Sequence, residues 1–147
     1  MDPREAKTLA RTILDDLELP GWSIKFDRAV KRFGRCTHGS RTISLSTPLV
    51  KLNDRAAVED TIRHEAAHAL VGPYHGHDTV WRRECVRVGA KPDAKYEASD
   101  IITPDAPWTF TCPSGCAGKR YRKPTRALLA SARCRRHNEP VTWKKGS

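Results

Sequence analysis

The residues that most constrain this chain are 64–68, which read His-Glu-Ala-Ala-His. Two histidines four positions apart project from one face of a helix, about one turn from each other, so both imidazoles can point at a single ion. Glu65 can reach a water molecule on that ion without being a ligand. This H-E-x-x-H arrangement is typical of zinc hydrolases.

The sequence around the motif predicts the helix that this spacing requires. Asn53 or Asp54 can act as the N-cap, apolar residues recur at helical spacing from there on, and Gly72-Pro73 ends the helix. An alternating segment precedes the helix, and further histidines follow it. With this context, the prediction of a metal site is more specific than one from the five-residue pattern alone.

Two downstream histidines compete for a third position, because a catalytic zinc site needs three protein ligands and an open position for water. His77 directly precedes a predicted helix whose Trp81 faces inward, so packing can fix it in place. His75 lies in a more mobile turn. We therefore predict His64, His68 and His77 as ligands, with His75 as the alternative to His77.

The rest of the N-terminal part predicts helices and a small sheet. An Asp2-Pro3 start and a Pro20-Gly21 stop bound a helix expected over about residues 3–18. The segments "WSIKF", "RFGRCT" and "RTISLS" predict three antiparallel strands, with a turn at His38-Gly39-Ser40. A third helix is expected over about residues 79–88, followed by a polar linker that contains three prolines.

A second metal site is predicted near the C-terminus. Cys112 and Cys116 are separated by three residues, Cys134 and His137 by two, and seventeen residues lie between the pairs. Two such pairs indicate a structural zinc ribbon, in which four ligands complete the tetrahedron and leave no position for water. So small a module buries too little apolar surface to fold unaided, and metal binding would supply folding free energy.

The positive charge is concentrated at the same end. Residues 1–100 carry 17 Lys and Arg against 15 Asp and Glu, whereas residues 101–147 carry 10 against 2, so +8 of the net +10 lies there. Nucleic acid is the leading candidate partner for such a surface. Nearby aromatic residues can stack on exposed bases, which favours single-stranded or distorted DNA. The predicted contacts are Lys119, Arg120, Arg122, Lys123, Arg126, Arg133, Arg135 and Arg136.

The sequence predicts no membrane partner. No apolar run approaches the roughly 18 residues of a membrane span, and the N-terminus lacks the apolar stretch of a signal peptide. We therefore expect a cytoplasmic protein, nucleoid-associated if the source is a prokaryote. Thiols stay reduced in that compartment, so Cys36 and Cys85 are expected to pack as small buried hydrophobes.

These features resemble the SprT-like family of zinc metallopeptidases, which includes the Spartan proteases. The resemblance rests on the strand "RTISLS", the helix "TIRHEAAHAL", the segment "GHDTVW" and the C-terminal cysteine-containing module, and it spans about residues 5–140. It implies His64, His68 and His77 as ligands of a catalytic zinc ion and Glu65 as the catalytic acid/base. It also implies protein substrates associated with DNA.

Spacing separates this chain from related zinc peptidases. The metzincin pattern would need Gly and His where Val71 and Tyr74 stand. A gluzincin would take an acidic third ligand from a later helix, for which Glu84 is the candidate, but His77 is simpler. Tyr74 could stabilise the oxyanion, although we prefer a packing role, and Asp60 could orient a ligand imidazole or lie on a solvated helix face.

The expected fold is α+β, with a zincin-like minimal metallopeptidase domain of helices on a small antiparallel sheet at residues 1–105. A small basic zinc ribbon is expected at residues 106–147. The expected function is zinc-dependent cleavage of DNA-associated or DNA-crosslinked proteins, with one catalytic and one structural Zn²⁺. Two alternatives stay open: a regulatory zincin peptidase that cleaves a repressor-type protein, and a non-enzymatic nucleic-acid-binding zinc protein.

Overall fold

The computed structural model describes residues 1–95 and 100–146, and the chain folds as two compact units, Met1–Pro104 and Asp105–Ser147. Residues 96–99, part of the predicted linker, lie outside the described residues. The first unit contains α1 (Pro3–Asp16), β1 (Ser23–Asp27), β2 (Gly34–Thr37), β3 (Thr42–Ser46), α2 (Thr47–Leu52), α3 (Arg55–Val71) and α4 (Thr79–Val88). The second contains β4 (Trp108–Thr111), β5 (Ala117–Arg120), α5 (Arg126–Ser131) and β6 (Thr142–Lys145). This confirms the α+β class.

The first sheet is mixed rather than antiparallel. Its order is β1-β3-β2, and β2 and β3 form the predicted antiparallel hairpin. β1 pairs with β3 in parallel, with Ile24 opposite Ile43, so the prediction of three antiparallel strands was wrong. Alternation identifies a half-buried strand but carries no information about the direction of its neighbour. The segment 28–41, which includes β2, provides the long crossover that a parallel pair requires.

One hydrophobic core joins α1, α2 and α3 to the central strand β3. Ile43 and Leu45 are fully buried there, together with Leu14 of α1 and Ile62 of α3. The short helix α2 was not predicted, although Ser46 marks its start by accepting a hydrogen bond at Oγ from the Leu49 N–H at 3.2 Å. This core packs α3 against the sheet.

The two helices that carry the histidines begin and end where the sequence predicts. Asp54 caps α3 by accepting from the Ala57 N–H at 3.0 Å, and the helix ends at Gly72, whose φ is 86°. Asp78 caps α4 in the same way, and α4 ends at Gly89 in the left-handed region. A small apolar cluster packs α3 against α4; it consists of Ala67, Trp81, Cys85, Val88 and Ala90.

The second unit is a three-stranded antiparallel sheet in the order β5-β4-β6. Phe110 and Trp143 face each other across β4 and β6 with ring centroids 5.1 Å apart. Opposite Phe110 on β5, Gly118 leaves room for the ring, since a Cβ there would lie 2.2 Å from Phe110 Cζ. Phe110 and Trp143 therefore pack together on this small sheet. Among the described residues, no helix combines the length and apolar character that crossing a membrane requires.

Candidate metal centres

Three histidines, two on α3 and one just before α4, lie close together in the first unit. His64 and His68 lie one turn apart on α3, and His77 directly precedes the cap of α4. One ligand atom from each lies within 4.8 Å of the others, and Nε2 of His68 is 3.1 Å from Nε2 of His77. Two nitrogens on a tetrahedral zinc ion are about 3.4 Å apart, given Zn–N bonds of about 2.05 Å. The donors and their spacing therefore fit zinc.

The indole of Trp81 supports all three imidazoles. Trp81 is fully buried, and its ring lies 4.7 Å from the ring of His64, 5.0 Å from that of His68 and 4.4 Å from that of His77. The His68 ring stacks on it at 22°. A rigid neighbour in contact with every imidazole limits the rotamers of the three side chains.

Burial keeps these histidines in the form that binds metal. It lowers the pKa of His64 to about 3, with help from His68 and His77, and lowers the pKa of His68 to about 4. The pKa of His77 is also lowered, first by burial. A neutral imidazole offers the lone pair that a cation needs, so the cluster can bind a metal at neutral pH without first losing protons.

Glu65 is buried beside this cluster, where α3 meets the strand β2. Its exposed fraction is 7%, and burial raises the pKa of its carboxyl to about 7. The charge of Arg32 and a hydrogen bond from the Cys36 backbone N–H oppose that rise in pKa. A carboxyl with a pKa near 7 can both accept and release a proton at physiological pH.

Gly34 makes the close approach of β2 to Glu65 possible. A Cβ at this position would lie 2.8 Å from Cγ of Glu65, 2.8 Å from Cγ2 of Thr61 and 2.9 Å from Oε1 of Glu65. Real Cβ atoms do not come so close, so the strand can lie against the carboxylate only because residue 34 has no side chain.

Glu65 and the three histidines line one open cleft with a volume of about 660 Å³. The three histidines differ in solvent exposure, since His64 and His68 are half-buried and His77 is exposed. A metal held by them would therefore be reached from the cleft, as a substrate-binding site requires.

The other histidine considered as a ligand has a different partner. His75 Nδ1 lies 2.8 Å from Oδ2 of Asp78, so it contacts the cap of α4, whereas His77 joins the cluster. Tyr74 is 96% exposed, so the packing role preferred for it was wrong. A position between a helix end and a turn gives a side chain little to pack against.

The two acidic residues considered near the site also bond elsewhere. Asp60 accepts a hydrogen bond at Oδ1 from the Lys91 backbone N–H at 2.8 Å, which fastens the segment after α4 to α3. Glu84 pairs with Arg87 of its own helix, whose Nε donates to Oε1 at 2.9 Å. Neither belongs to the histidine cluster.

The cleft also contains two residues that sequence reasoning did not connect with it. His38 lines it, with Nε2 2.9 Å from the carbonyl oxygen of His68. Cys36 lines it too and is half-buried rather than packed in the core, and burial raises the pKa of its thiol to about 12. Both lie more than twenty-five residues before His64, the first of the clustered histidines, and the pairing of β2 with β3 brings them here. Cys85, by contrast, is fully buried, as the sequence predicts.

Three cysteines and one histidine meet in the second unit. Nδ1 of His137 lies 3.5 Å from Sγ of Cys112, 3.6 Å from Sγ of Cys116 and 3.9 Å from Sγ of Cys134. Ligands on a tetrahedral zinc ion with Zn–N of about 2.05 Å and Zn–S of about 2.3 Å have N···S separations of about 3.6 Å. The backbone N–H groups of His137 and Arg136 lower the pKa of Cys134 to about 7, which favours the thiolate. The four side chains fit a closed structural zinc site.

The predicted nucleic-acid contacts belong to the same unit as this second cluster. Arg120 is half-buried on β5, and Arg133 is exposed but donates from Nε to the carbonyl oxygen of Asn138 at 2.8 Å. The exposed members of the set are Lys119, Arg122, Lys123, Arg126, Arg133, Arg135 and Arg136.

Zinc analysis would test the two centres separately. We expect the purified chain to contain about two zinc ions, His68→Ala to lose the first and Cys112→Ser to lose the second, because each variant removes one ligand of one cluster. Elemental analysis of the three proteins measures this directly. A single zinc ion, lost only in Cys112→Ser, would contradict the histidine centre.

Replacing Gly34 by alanine would test the contact of β2 with Glu65. We expect Gly34→Ala to lower the free energy of unfolding by about 1–3 kcal/mol, because the new methyl group overpacks a tight contact. Gly39→Ala is the matched control, since a Cβ there meets nothing within 4 Å. Urea denaturation compares the two variants, and equal stability would mean that β2 does not press on Glu65.

The pH dependence of stability would test the buried imidazole of His64. Burial lowers its pKa from an ordinary 6.5 to about 3. Between these values the unfolded chain binds a proton that the folded chain does not, so stability is lost as the pH falls below 6.5. Glu65 acts in the opposite direction between 4.5 and 7, because its raised pKa lets the folded state hold the additional proton.

We therefore expect His64→Gln to lose less stability than the wild type when the pH is lowered from 7 to 5. Both proteins are measured metal-free, in the presence of a chelator, by urea denaturation at each pH. The same loss in both would contradict a depressed pKa for His64.

One solved structure and one protein family are similar to this chain. The chain is similar to the crystal structure of the metallopeptidase zymogen of Pyrococcus abyssi abylysin, at 18% sequence identity and a TM-score of 0.48, over 56% of this chain and 78% of that chain. The comparison with curated proteins gives no match. The model of the SprT-like family matches residues 5–100, which is more than half of the chain and includes the whole histidine cluster and Glu65. This chain therefore belongs to the SprT-like family.

Proposed function

We propose that this chain is a zinc-dependent metalloendopeptidase that acts on DNA-associated or DNA-crosslinked proteins. The observation that carries the proposal is a buried glutamate beside three convergent, neutral histidines at an open cleft. Membership of the SprT-like family supports it. In this proposal residues 1–105 are a zincin-like catalytic domain and residues 106–147 a zinc ribbon.

The residues of the first centre divide the work of peptide hydrolysis. His64, His68 and His77 would hold the zinc ion, which when bound lowers the pKa of a water ligand towards ~7 and stabilises negative charge on the substrate carbonyl oxygen. Glu65 accepts a proton from the attacking water and then delivers it to the leaving amine. The pKa of about 7 for this carboxyl suits both transfers.

Neighbouring groups hold Glu65 in position for these transfers. The Cys36 backbone N–H fixes the carboxylate, and Gly34 lets the strand come close enough to make that hydrogen bond. Glu65 is largely buried yet lines the cleft, so its carboxyl is held where the reacting groups would bind. Positioning of this kind is a large part of what an enzyme contributes to a hydrolytic step.

The second unit would recruit the peptidase to DNA. Its ribbon would be held by zinc on Cys112, Cys116, Cys134 and His137, and its exposed cations would neutralise phosphates without reading sequence. Trp108 and Tyr121 remain half-exposed, which suits stacking on single-stranded or distorted DNA. A cytoplasmic location, nucleoid-associated in a prokaryote, belongs to the same proposal.

Two observations favour this function over the alternatives. A purely structural metal site has no use for a buried carboxyl beside its ligands, so Glu65 argues against a non-enzymatic zinc protein. The net charge of +8 in residues 101–147 favours DNA-associated substrates over a single repressor-type target.

Replacing Glu65 by glutamine would test the proposed chemistry. We expect Glu65→Gln to retain its zinc and to lose cleavage by a factor of about 10²–10⁴, because the amide cannot accept the proton of the attacking water. Cleavage of a DNA-binding protein such as a histone is measured with the zinc-loaded full chain, with and without single-stranded DNA. Glu5→Gln, an exposed substitution on α1, is the matched control and should cleave like the wild type.

The measurements without and with DNA can contradict different parts of the proposal. No cleavage by a zinc-loaded wild type, with or without DNA, would contradict the peptidase. Cleavage that DNA does not change would contradict the recruiting role of the ribbon and favour the repressor-type alternative. If DNA does stimulate cleavage, Arg135→Gln together with Arg136→Gln should weaken the stimulation and its dependence on salt.

A further inference from the structure

We propose that His38 is a positioning residue of the first metal centre, which holds the end of α3 in place by donating a hydrogen bond from its imidazole to the backbone carbonyl of His68. The inference rests on the zinc site of the proposed function. It adds a residue that lies outside the H-E-x-x-H motif and is not a ligand.

The bond itself is well defined. His38 Nε2 lies 2.9 Å from the carbonyl oxygen of His68, across a sequence separation of 30 residues. A carbonyl oxygen can only accept, so Nε2 must carry the proton, and the tautomer of the imidazole is thereby fixed. A hydrogen bond of this length lies at the centre of the usual range for N–H···O.

The position of His68 in its helix explains why such a bond matters. His68 lies in the last turn of α3, and its carbonyl oxygen accepts the final hydrogen bond of the helix, from the N–H of the capping Gly72 at 3.2 Å. That bond lies at the long end of the usual range, and helix ends fray. The bond from His38 is a second one to the same oxygen, and it comes from outside the helix, from the residue that follows β2.

The surroundings of His38 hold its ring in the donating orientation. The ring of Trp22 meets it edge to face, with centroids 5.7 Å apart, and Sγ of Cys36 lies 4.0 Å from Nε2. His38 directly follows β2 and begins the turn of the hairpin. In this turn the Arg41 N–H donates to the carbonyl oxygen of His38 at 3.1 Å. Ring and backbone are thus both restrained.

The strand β2 and the residue that follows it consequently anchor two functional residues of α3 at once. The Cys36 backbone N–H donates to the carboxylate of Glu65, and the His38 imidazole donates to the backbone carbonyl of His68. Cys36 and His38 lie two residues apart in the sequence, and the residues that they hold lie three apart on the helix. The proton-transfer group and the outer helix ligand therefore keep a fixed distance from each other.

Two substitutions of His38 separate this role from simple packing. His38→Phe keeps a planar ring against Trp22 but removes the donor, and His38→Gln replaces the donor with an amide N–H at a similar distance along the side chain. We expect His38→Phe to weaken zinc binding at the first centre by about 10- to 100-fold, the usual effect of losing a partner that orients a ligand. We expect His38→Gln to stay within about threefold of the wild type.

Zinc affinity is measured on the full chain by competition with a chromogenic chelator. The Cys112/Cys116/Cys134/His137 site in the same molecule is the internal control, and its affinity should be the same in all three proteins. Wild-type affinity in His38→Phe, or an equal loss in both variants, would overturn the inference. Because the measurement follows zinc and not cleavage, it stays informative even if the peptidase assay fails.

Discussion

The functional part of this structure depends on the contact between β2 and α3. There the strand presses against the carboxyl of Glu65, which a folded protein can bury only if a hydrogen bond replaces the lost water. The Cys36 backbone N–H supplies that bond, and the absence of a side chain at Gly34 allows the approach. Without this contact the carboxyl would move towards solvent, its pKa would return towards 4.5, and its position relative to the histidines would no longer be fixed.

The strand in this contact lies at one edge of the mixed sheet. β2 is an outer strand, and the central strand is β3, whose Ile43 and Leu45 enter the core. β1 then reaches the free side of β3 and runs parallel to it. The topology that sequence reasoning missed thus brings Gly34, Cys36 and His38 to the cleft.

Local signals in the sequence were enough to predict most of the helices and the residues of both ligand clusters. The cap at Asp54 and the stop at Gly72 are short-range features, and the structure has them where the sequence predicts them. The predicted range of about 79–88 for the third helix is likewise confirmed by α4. The i, i+4 spacing of His64 and His68 likewise depends only on helix geometry. His77 meets them because α4 packs back on α3 through Trp81, an inward-facing residue that the helical pattern identifies.

Long-range relations could not be predicted in this way. The direction of β1, the contact of Gly34 with Glu65 and the bond from His38 to His68 each join segments that are many residues apart. A glycine in a strand and a histidine in a turn both have ordinary local explanations, so nothing in their neighbourhood marks them as parts of a site. The missed helix α2 differs, because Ser46 with Pro48 in the first turn was a readable start signal.

The two metal centres play different parts in the stability of their units. The first unit buries an apolar core that includes fully buried Leu14, Ile43 and Ile62, so it has a source of stability other than a metal ion. In the second unit only Cys112 and Pro124 are buried among the described residues, and no residue of α5 is. Structural zinc contributes about 10–16 kcal/mol in small modules, which exceeds anything so small an apolar core can supply. Loss of a metal ion from the cysteine site is therefore expected to unfold the second unit, while the first unit keeps its apolar core.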